Sequence, residues 1–138
     1  MLNRFCELIW GKKRIGIFEE VEVKGDDGKW HKVLAKVDTG AYRSCLDWGL
    51  AEKWGLIGKK HLKQVWVSNV HGKIKREVYR VKLKIRGKMK EAEINVFDRS
   101  KMRYAMIIGR KELRGYEIVN NPEKRRLNRY WIEDQEGK

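Results

Sequence analysis

Ala35-Lys36-Val37-Asp38-Thr39-Gly40-Ala41 carries the sharpest signal in this 138-residue chain. The apolar run Val33-Leu34-Ala35-Lys36-Val37 reads as a strand, and it delivers a carboxylate to a tight turn. The Thr39 hydroxyl can hydrogen-bond locally. Gly40 lets backbone amides approach the carboxylate with no Cβ in the way. An Asp-(Ser/Thr)-Gly-(Ala/Ser) match arises by chance in about one chain of this length in a hundred. An aspartate that only caps a strand-to-helix turn would use the same residue types, so the tetrapeptide by itself leaves both readings open.

Working outward, strand-like alternation dominates. Upstream, Ile15-Gly16-Ile17-Phe18 leads into Val21-Glu22-Val23, and Gly25-Asp26-Asp27-Gly28 supplies the turn to the next strand. Downstream, Leu46, Leu50 and Trp54 share one face of a short helix expected over about Asp47 to Trp54, with Gly55 as its stop. Val65-Trp66-Val67 reads as a strand and Asn69-Val70-His71-Gly72 as a turn. From Tyr79 to Arg86, Val81, Leu83 and Ile85 alternate with Arg80, Lys82, Lys84 and Arg86, so one face is apolar and the other basic. Ala92, Ile94 and Val96 alternate with Glu91, Glu93 and Asn95 on the returning strand, which sets acids across from that basic face. Tyr104 to Ile108 reads as a buried strand ending at Gly109-Arg110. One helical turn, Lys111 to Arg114, then stops at Gly115 before a last strand, Tyr116 to Val119.

The length fits a single domain, with a core over about residues 15–119 and ends that are partly disordered or dimer-forming. Charged residues make up 38%, and 33 Lys and Arg against 19 Asp and Glu leave a net charge of +14. The charge is uneven: Lys59 to Lys90 holds 12 basic residues against the single acid Glu77, a local +11. Such a field attracts nucleic acid, an anionic membrane or an acidic polypeptide. Two cysteines, Cys6 and Cys45, are too few for a disulfide framework. There is no run of signal-peptide type and no apolar run near the ~20 residues of a membrane span. The expectation is a cytoplasmic protein with free thiols and no membrane partner.

The block around Asp38 and the late Ile107-Ile108-Gly109-Arg110 together resemble the paired signature of retropepsins. The chain is also similar to a group of retropepsin-like proteins that carry the name ATP-dependent zinc proteases. That similarity runs from about Ile15 to Val119, through Ile15-Gly16-Ile17-Phe18-Glu19, the Asp38 block and Ser68-Asn69-Val70-His71-Gly72. Its most specific part is Asp98-Arg99-Ser100-Lys101-Met102-Arg103-Tyr104-Ala105-Met106 with the four residues that follow. The chain departs from the pattern at Tyr42-Arg43, where a Lys-Thr pair is common, and at Ala105, where proline is common. It also lacks an insertion before the flap. These departures bear on substrate specificity more than on fold.

The resemblance implies an all-β, retropepsin-like closed barrel with one or two short helices, working as a homodimer. It implies Asp38 as the catalytic carboxylate, supported by Thr39, Gly40, Ala41, Ile108, Gly109 and Arg110. It makes Ser68, Asn69, His71 and Gly72 parts of a flap over the substrate, and Arg110 the brace of a dimer. Some relatives imply a poly-glutamate substrate. Asp98-Arg99 is read only as a surface ion pair.

The residues do not support the zinc and ATP of the family's name. His31, His61 and His71 form no metal-ligand spacing, and no Gly-rich phosphate loop is present, so neither a metal nor a cofactor is expected. The leading reading is an aspartic endopeptidase taking an acidic peptide or protein. The basic residues Lys73, Lys75, Arg76, Arg80, Lys82, Lys84 and Arg86 would draw such a substrate in, or would be a solvated face. The alternative is a binding module on RNA or the ribosome without turnover. There Trp30, Trp66 and Tyr79 among the basic strands would stack bases, although tryptophans more often fill cores and interfaces.

Overall fold

Alternating apolar residues fold this chain into a ring of strands. The computed structural model describes residues 13–58 and 61–120. In chain order its elements are β1 (Lys13–Gly16), β2 (Phe18–Lys24), β3 (Trp30–Val37), β4 (Cys45–Asp47), α1 (Trp48–Lys53) and β5 (Lys63–Asn69). They continue as β6 (Gly72–Ile85), β7 (Lys88–Phe97), β8 (Met106–Ile108), α2 (Arg110–Leu113) and β9 (Tyr116–Val119).

Six strands close a barrel in the order β2-β3-β8-β4-β7-β6, and β6 pairs back onto β2. That closing seam is short: Val21 faces Ile85, Glu22 faces Lys84 and Val23 faces Leu83. Closure removes the open sheet edge that would otherwise invite association. The inward positions form one apolar cluster that includes Val21, Val23, Val33, Ala35, Leu83, Ile85, Ile94, Met106 and Ile108. Each fully buried Val, Leu or Ile side chain stabilises by roughly 1.5–3 kcal/mol. Helix α1 plugs one side of the barrel with Leu50 and Ala51, and the following Trp54 is also buried. Asp47 caps that helix, its Oδ2 accepting from the Leu50 amide at 3.3 Å.

Two elements stand outside the ring. β5 pairs only with the first half of β6, from Lys63 opposite Val78 to Asn69 opposite Gly72, so the two form a hairpin reaching beyond the barrel. β1 and β9 make a separate parallel pair near the two ends of the described chain.

The architecture matches the expected closed all-β barrel with two short helices, and three local expectations change. The run from Ile15 to Val23 is broken at Ile17, where the Glu19 carboxylate folds back to accept from the Gly16 amide at 2.6 Å. The strand expected from Tyr104 begins only at Met106. The Tyr104 carbonyl accepts from Arg99 Nε and the Ala105 carbonyl from the Asp47 amide. The three-residue strand β4 also precedes the helix. It is too short to show a period, but its residues Cys45, Leu46 and Asp47 are all buried. The expectations about the chain ends and Cys6 fall outside the described residues. Among the described residues, no helix is long and apolar enough to cross a membrane.

Candidate active site

Strand β3 ends by handing Asp38 to a turn that the neighbouring strand supports. The Asp38 amide donates to the Ile108 carbonyl at 2.9 Å, so the β3–β8 ladder continues onto the aspartate itself. The Gly40 amide donates to Asp38 Oδ1 at 2.9 Å, and the Ala41 amide to the Asp38 carbonyl at 3.2 Å. A Cβ on Gly40 would meet that same Oδ1 at 3.2 Å. The carboxylate is therefore oriented by its own turn while staying partly open to solvent.

The late block locks the early one. Arg110 Nη1 donates to the Thr39 carbonyl at 2.8 Å, and the amides of Arg110 and Lys111 donate to the carbonyls of Ala41 and Tyr42. Gly109 makes this crossing possible. A Cβ there would lie 2.5 Å from the Arg43 carbonyl carbon and 2.8 Å from the Tyr42 oxygen. Such distances exclude any side chain without backbone movement. Beneath the crossing, the Ser44 hydroxyl accepts from the Gly109 amide at 3.0 Å and donates to Glu112 Oε1 at 2.6 Å. Ser44 and Glu112 are both buried.

The β5–β6 hairpin faces this turn across a cleft of about 420 Å³. Asp38, Gly40 and Ala41 lie on one wall, and Val65 to Ser68 of β5 on the other. Cys45, Asn95 and Ile107 lie between them, with Arg43, Arg76, Arg99 and Arg110 around them. Of the residues expected to serve the site, Asp38, Gly40, Ala41, Ser68 and Arg110 line the cleft. Thr39 is exposed and holds Arg110 through its carbonyl, Gly109 is buried at the crossing, and Ile108 is buried in the core. Asn69, His71 and Gly72 form the exposed hairpin tip, where Asn69 Oδ1 accepts from the His71 amide at 2.8 Å. Gly72 has φ +122°, a conformation that side-chain-bearing residues rarely adopt.

Arg99 corrects its sequence reading. It is buried, with its amide donating to Asp47 Oδ1 at 2.7 Å and its Nε to the Tyr104 carbonyl at 2.9 Å. It is a cleft residue and not a surface ion pair. Asp98 stays exposed and accepts from the Ser100 amide and hydroxyl, which hold its carboxyl below the ordinary range. The basic stretch also divides. Arg76 enters the cleft, whereas Arg80 lies on the outer wall beside Glu93 at 3.7 Å. Ser44 and Glu112 went unnoticed in the sequence, and no local pattern marks them; Arg43 was noted only as a departure from the family pattern.

The three histidines are scattered. His31 stacks on Trp54 beside Asp27, His61 lies near Glu77, and His71 sits at the hairpin tip. Among the described residues no three His, Cys, Asp or Glu side chains converge on a metal site, so the described residues do not by themselves fit a bound zinc ion.

A closed six-stranded barrel, a supported Asp-Thr-Gly turn and a hairpin over the cleft make up the retropepsin-like fold. No family model and no curated protein matches the sequence. Among solved structures, a Legionella pneumophila protein of unknown function is 16% identical, with a TM-score of 0.52 over 78% of this chain and 93% of that one. The foamy viral protease-reverse transcriptase, solved in complex with an RNA/DNA hybrid, is 18% identical with a TM-score of 0.52, covering 72% of this chain and 12% of that one. The simian foamy virus protease in solution is 22% identical, with a TM-score of 0.49 over 70% of this chain and 90% of that one. At these identities the likeness is one of fold.

Proposed function

We propose that the protein is an aspartic endopeptidase acting as a homodimer, with one Asp38 contributed by each subunit. The observation that carries this reading is the Asp38 carboxylate, held by the Gly40 amide at 2.9 Å, partly exposed and facing a hairpin across a cleft. Hydrolysis by this chemistry takes two carboxylates sharing one proton. The ionised one polarises a water, and the protonated one hydrogen-bonds the scissile carbonyl. Like charges about 3 Å apart titrate in two coupled steps, which keeps one proton in place. The chain contains one Asp-Thr-Gly, so a two-fold axis between identical subunits supplies the second. The hairpin tip around Ser68, Asn69, His71 and Gly72 then closes over an extended peptide and excludes water. The net charge of +14 favours an acidic peptide or protein, glutamate-rich stretches included, in a cytoplasmic setting.

The test joins assembly to chemistry. Sedimentation velocity of the full chain should give a dimer, and an acidic peptide library should be cleaved with an acid-shifted optimum. Asp38→Asn should remove cleavage at least 100-fold and keep the far-UV spectrum. A strict monomer, or cleavage surviving Asp38→Asn, overturns the reading.

A second reading, an RNA- or ribosome-binding module, rests on Trp30, whose ring lies beneath Lys84 at 4.3 Å and Lys24 at 5.8 Å. It requires nucleic-acid affinity that falls steeply with salt and ignores Asp38→Asn.

A further inference from the structure

We infer that Arg76 determines specificity: with Arg99 and Asn95 it forms a subsite at the inner end of the cleft that takes one carboxylate of the bound peptide. The inference rests on reading the cleft as a peptide site, and it makes acidity at one position, rather than acidity in general, the feature selected.

The first argument is a contrast between two sets of cations. On the outer surface several basic side chains are paired with acids. Glu93 gathers Lys63 and Lys111 at 3.2 Å and Arg80 at 3.7 Å, Glu20 takes Lys32, and Glu117 takes Arg14. In the cleft, Arg43, Arg76, Arg99 and Arg110 share their space with a single carboxylate, Asp38. None of the four forms an ion pair with a described residue. Cys45 does not supply the missing anion. Burial pushes its thiol up despite the nearby Arg99 and Arg76 charges, so it stays neutral.

The second argument is how firmly Arg76 is held. Its guanidinium lies over the Phe97 ring at 4.1 Å. Its Nη1 donates to Asn95 Oδ1 at 3.2 Å and approaches Cys45 Sγ at 3.8 Å. Its Nε is shielded from solvent and has no hydrogen-bond partner among the described residues, as is also true of Arg43 Nε. Arg99 is only 8% exposed and is fixed through its Nε on the Tyr104 carbonyl. One donor of Arg76 is left unmet while its Nη1 is held, and a carboxylate matches the planar fork of a guanidinium with two parallel hydrogen bonds.

The third argument is register. Arg76 pairs with Val65 on β5, and Val65, Val67 and Ser68 line the same cleft. An extended peptide lying along this hairpin presents alternate side chains to it. Arg76 therefore meets one residue of the peptide.

The carboxylate can come from a side chain or from a chain end, and binding to the full-length Asp38→Asn protein separates them. The probes are fluorescein-labelled alanine-based octapeptides with a single glutamate moved through each position, their glutamine counterparts, and both sets with free or amidated C-termini. Fluorescence anisotropy should show at least tenfold tighter binding for glutamate over glutamine at one position. If amidation alone abolishes the gain, the subsite stands and reads a chain end. Arg76→Met, which keeps the stem over Phe97, should erase the preference, and Arg76→Lys should restore only part of it. Lys82→Gln with Lys84→Gln on the outer wall should leave it unchanged, and melting curves establish that each variant folds. A preference that survives Arg76→Met, or no carboxylate preference anywhere, overturns the proposal. Cleavage by the unmutated protein separates the two ideas. Turnover without acid preference sinks the subsite alone, and Arg76-dependent binding without turnover sinks the peptidase reading alone.

Discussion

The Gly109 amide donates to the Ser44 hydroxyl oxygen at 3.0 Å across 65 positions of sequence, and that hydroxyl passes its own proton toward Glu112 at 2.6 Å. This buried relay ties the loop after Asp38 to the start of α2. Ser44→Ala would orphan the Gly109 amide and remove a donor from the Glu112 carboxylate, each within a buried setting. A loss of about 1–3 kcal/mol is expected, read as a lowered midpoint in urea denaturation. A double-mutant cycle with Glu112→Gln should return a non-additive coupling, because the two side chains share one hydrogen bond.

Gly109→Ala tests the crossing more severely. Its Cβ would enter within 2.6 Å of the Arg43 carbonyl oxygen. Overpacking against backbone costs about 1–3 kcal/mol or more, so the melting temperature should fall by several degrees. Gly87→Ala, at a glycine with open space around it but φ +77°, should cost only about 1 kcal/mol.

The β6–β7 turn offers a gain. Arg86 has φ +53° and Gly87 φ +77°, the paired left-handed conformation of a two-residue hairpin turn. Arginine is a poor occupant of that first position and asparagine a good one. Arg86→Asn should raise stability by about 0.5 kcal/mol, offset slightly by the loss of the long contact to Glu19 at 4.0 Å. Differential scanning calorimetry reads the shift.

Two groups contribute a pH dependence to stability. Hydrogen bonds from Lys111 and then Lys63 hold Glu93 below its ordinary value of 4.5. Its contribution is complete above 4.5 and disappears as pH falls through the lowered value. Glu93→Gln should therefore melt earlier than the unmutated protein at pH 7, with the gap closing as the pH falls below 4.5. On the alkaline side, burial first and the Glu77 carboxylate second push the Tyr79 phenol up to about 12. Folded-state ionisation followed by absorbance should show this tyrosine titrating late, and stability should decline between pH 10 and 12.

Much of the barrel is legible in the sequence because period-two alternation in β2, β6 and β7 directly reports which side faces inward, and β3 shows itself as an apolar run. The Asp38 turn and the Gly109 crossing are legible for another reason: each packs its constraint into four or five adjacent residues. What escapes is whatever depends on partners far away in sequence. Arg99 looks like any exposed cation, and only Tyr104 and Asp47 folding over it make it internal. Ser44 and Glu112, 68 residues apart, have no periodicity to betray them. Arg76 sits among lysines that resemble it in every local respect, and its separation from them arises because β6 leaves the barrel between Val78 and Arg76.

That last strand acts as a ruler. β6 runs uninterrupted for 14 residues, so the barrel wall and the hairpin share a single count of positions. Deleting Glu77 would leave every barrel side chain where it is, yet swing Lys75 inward and turn Arg76 toward the outside. Drift in this stretch must therefore come in steps of two, and a family alignment should show even-numbered gaps here or none.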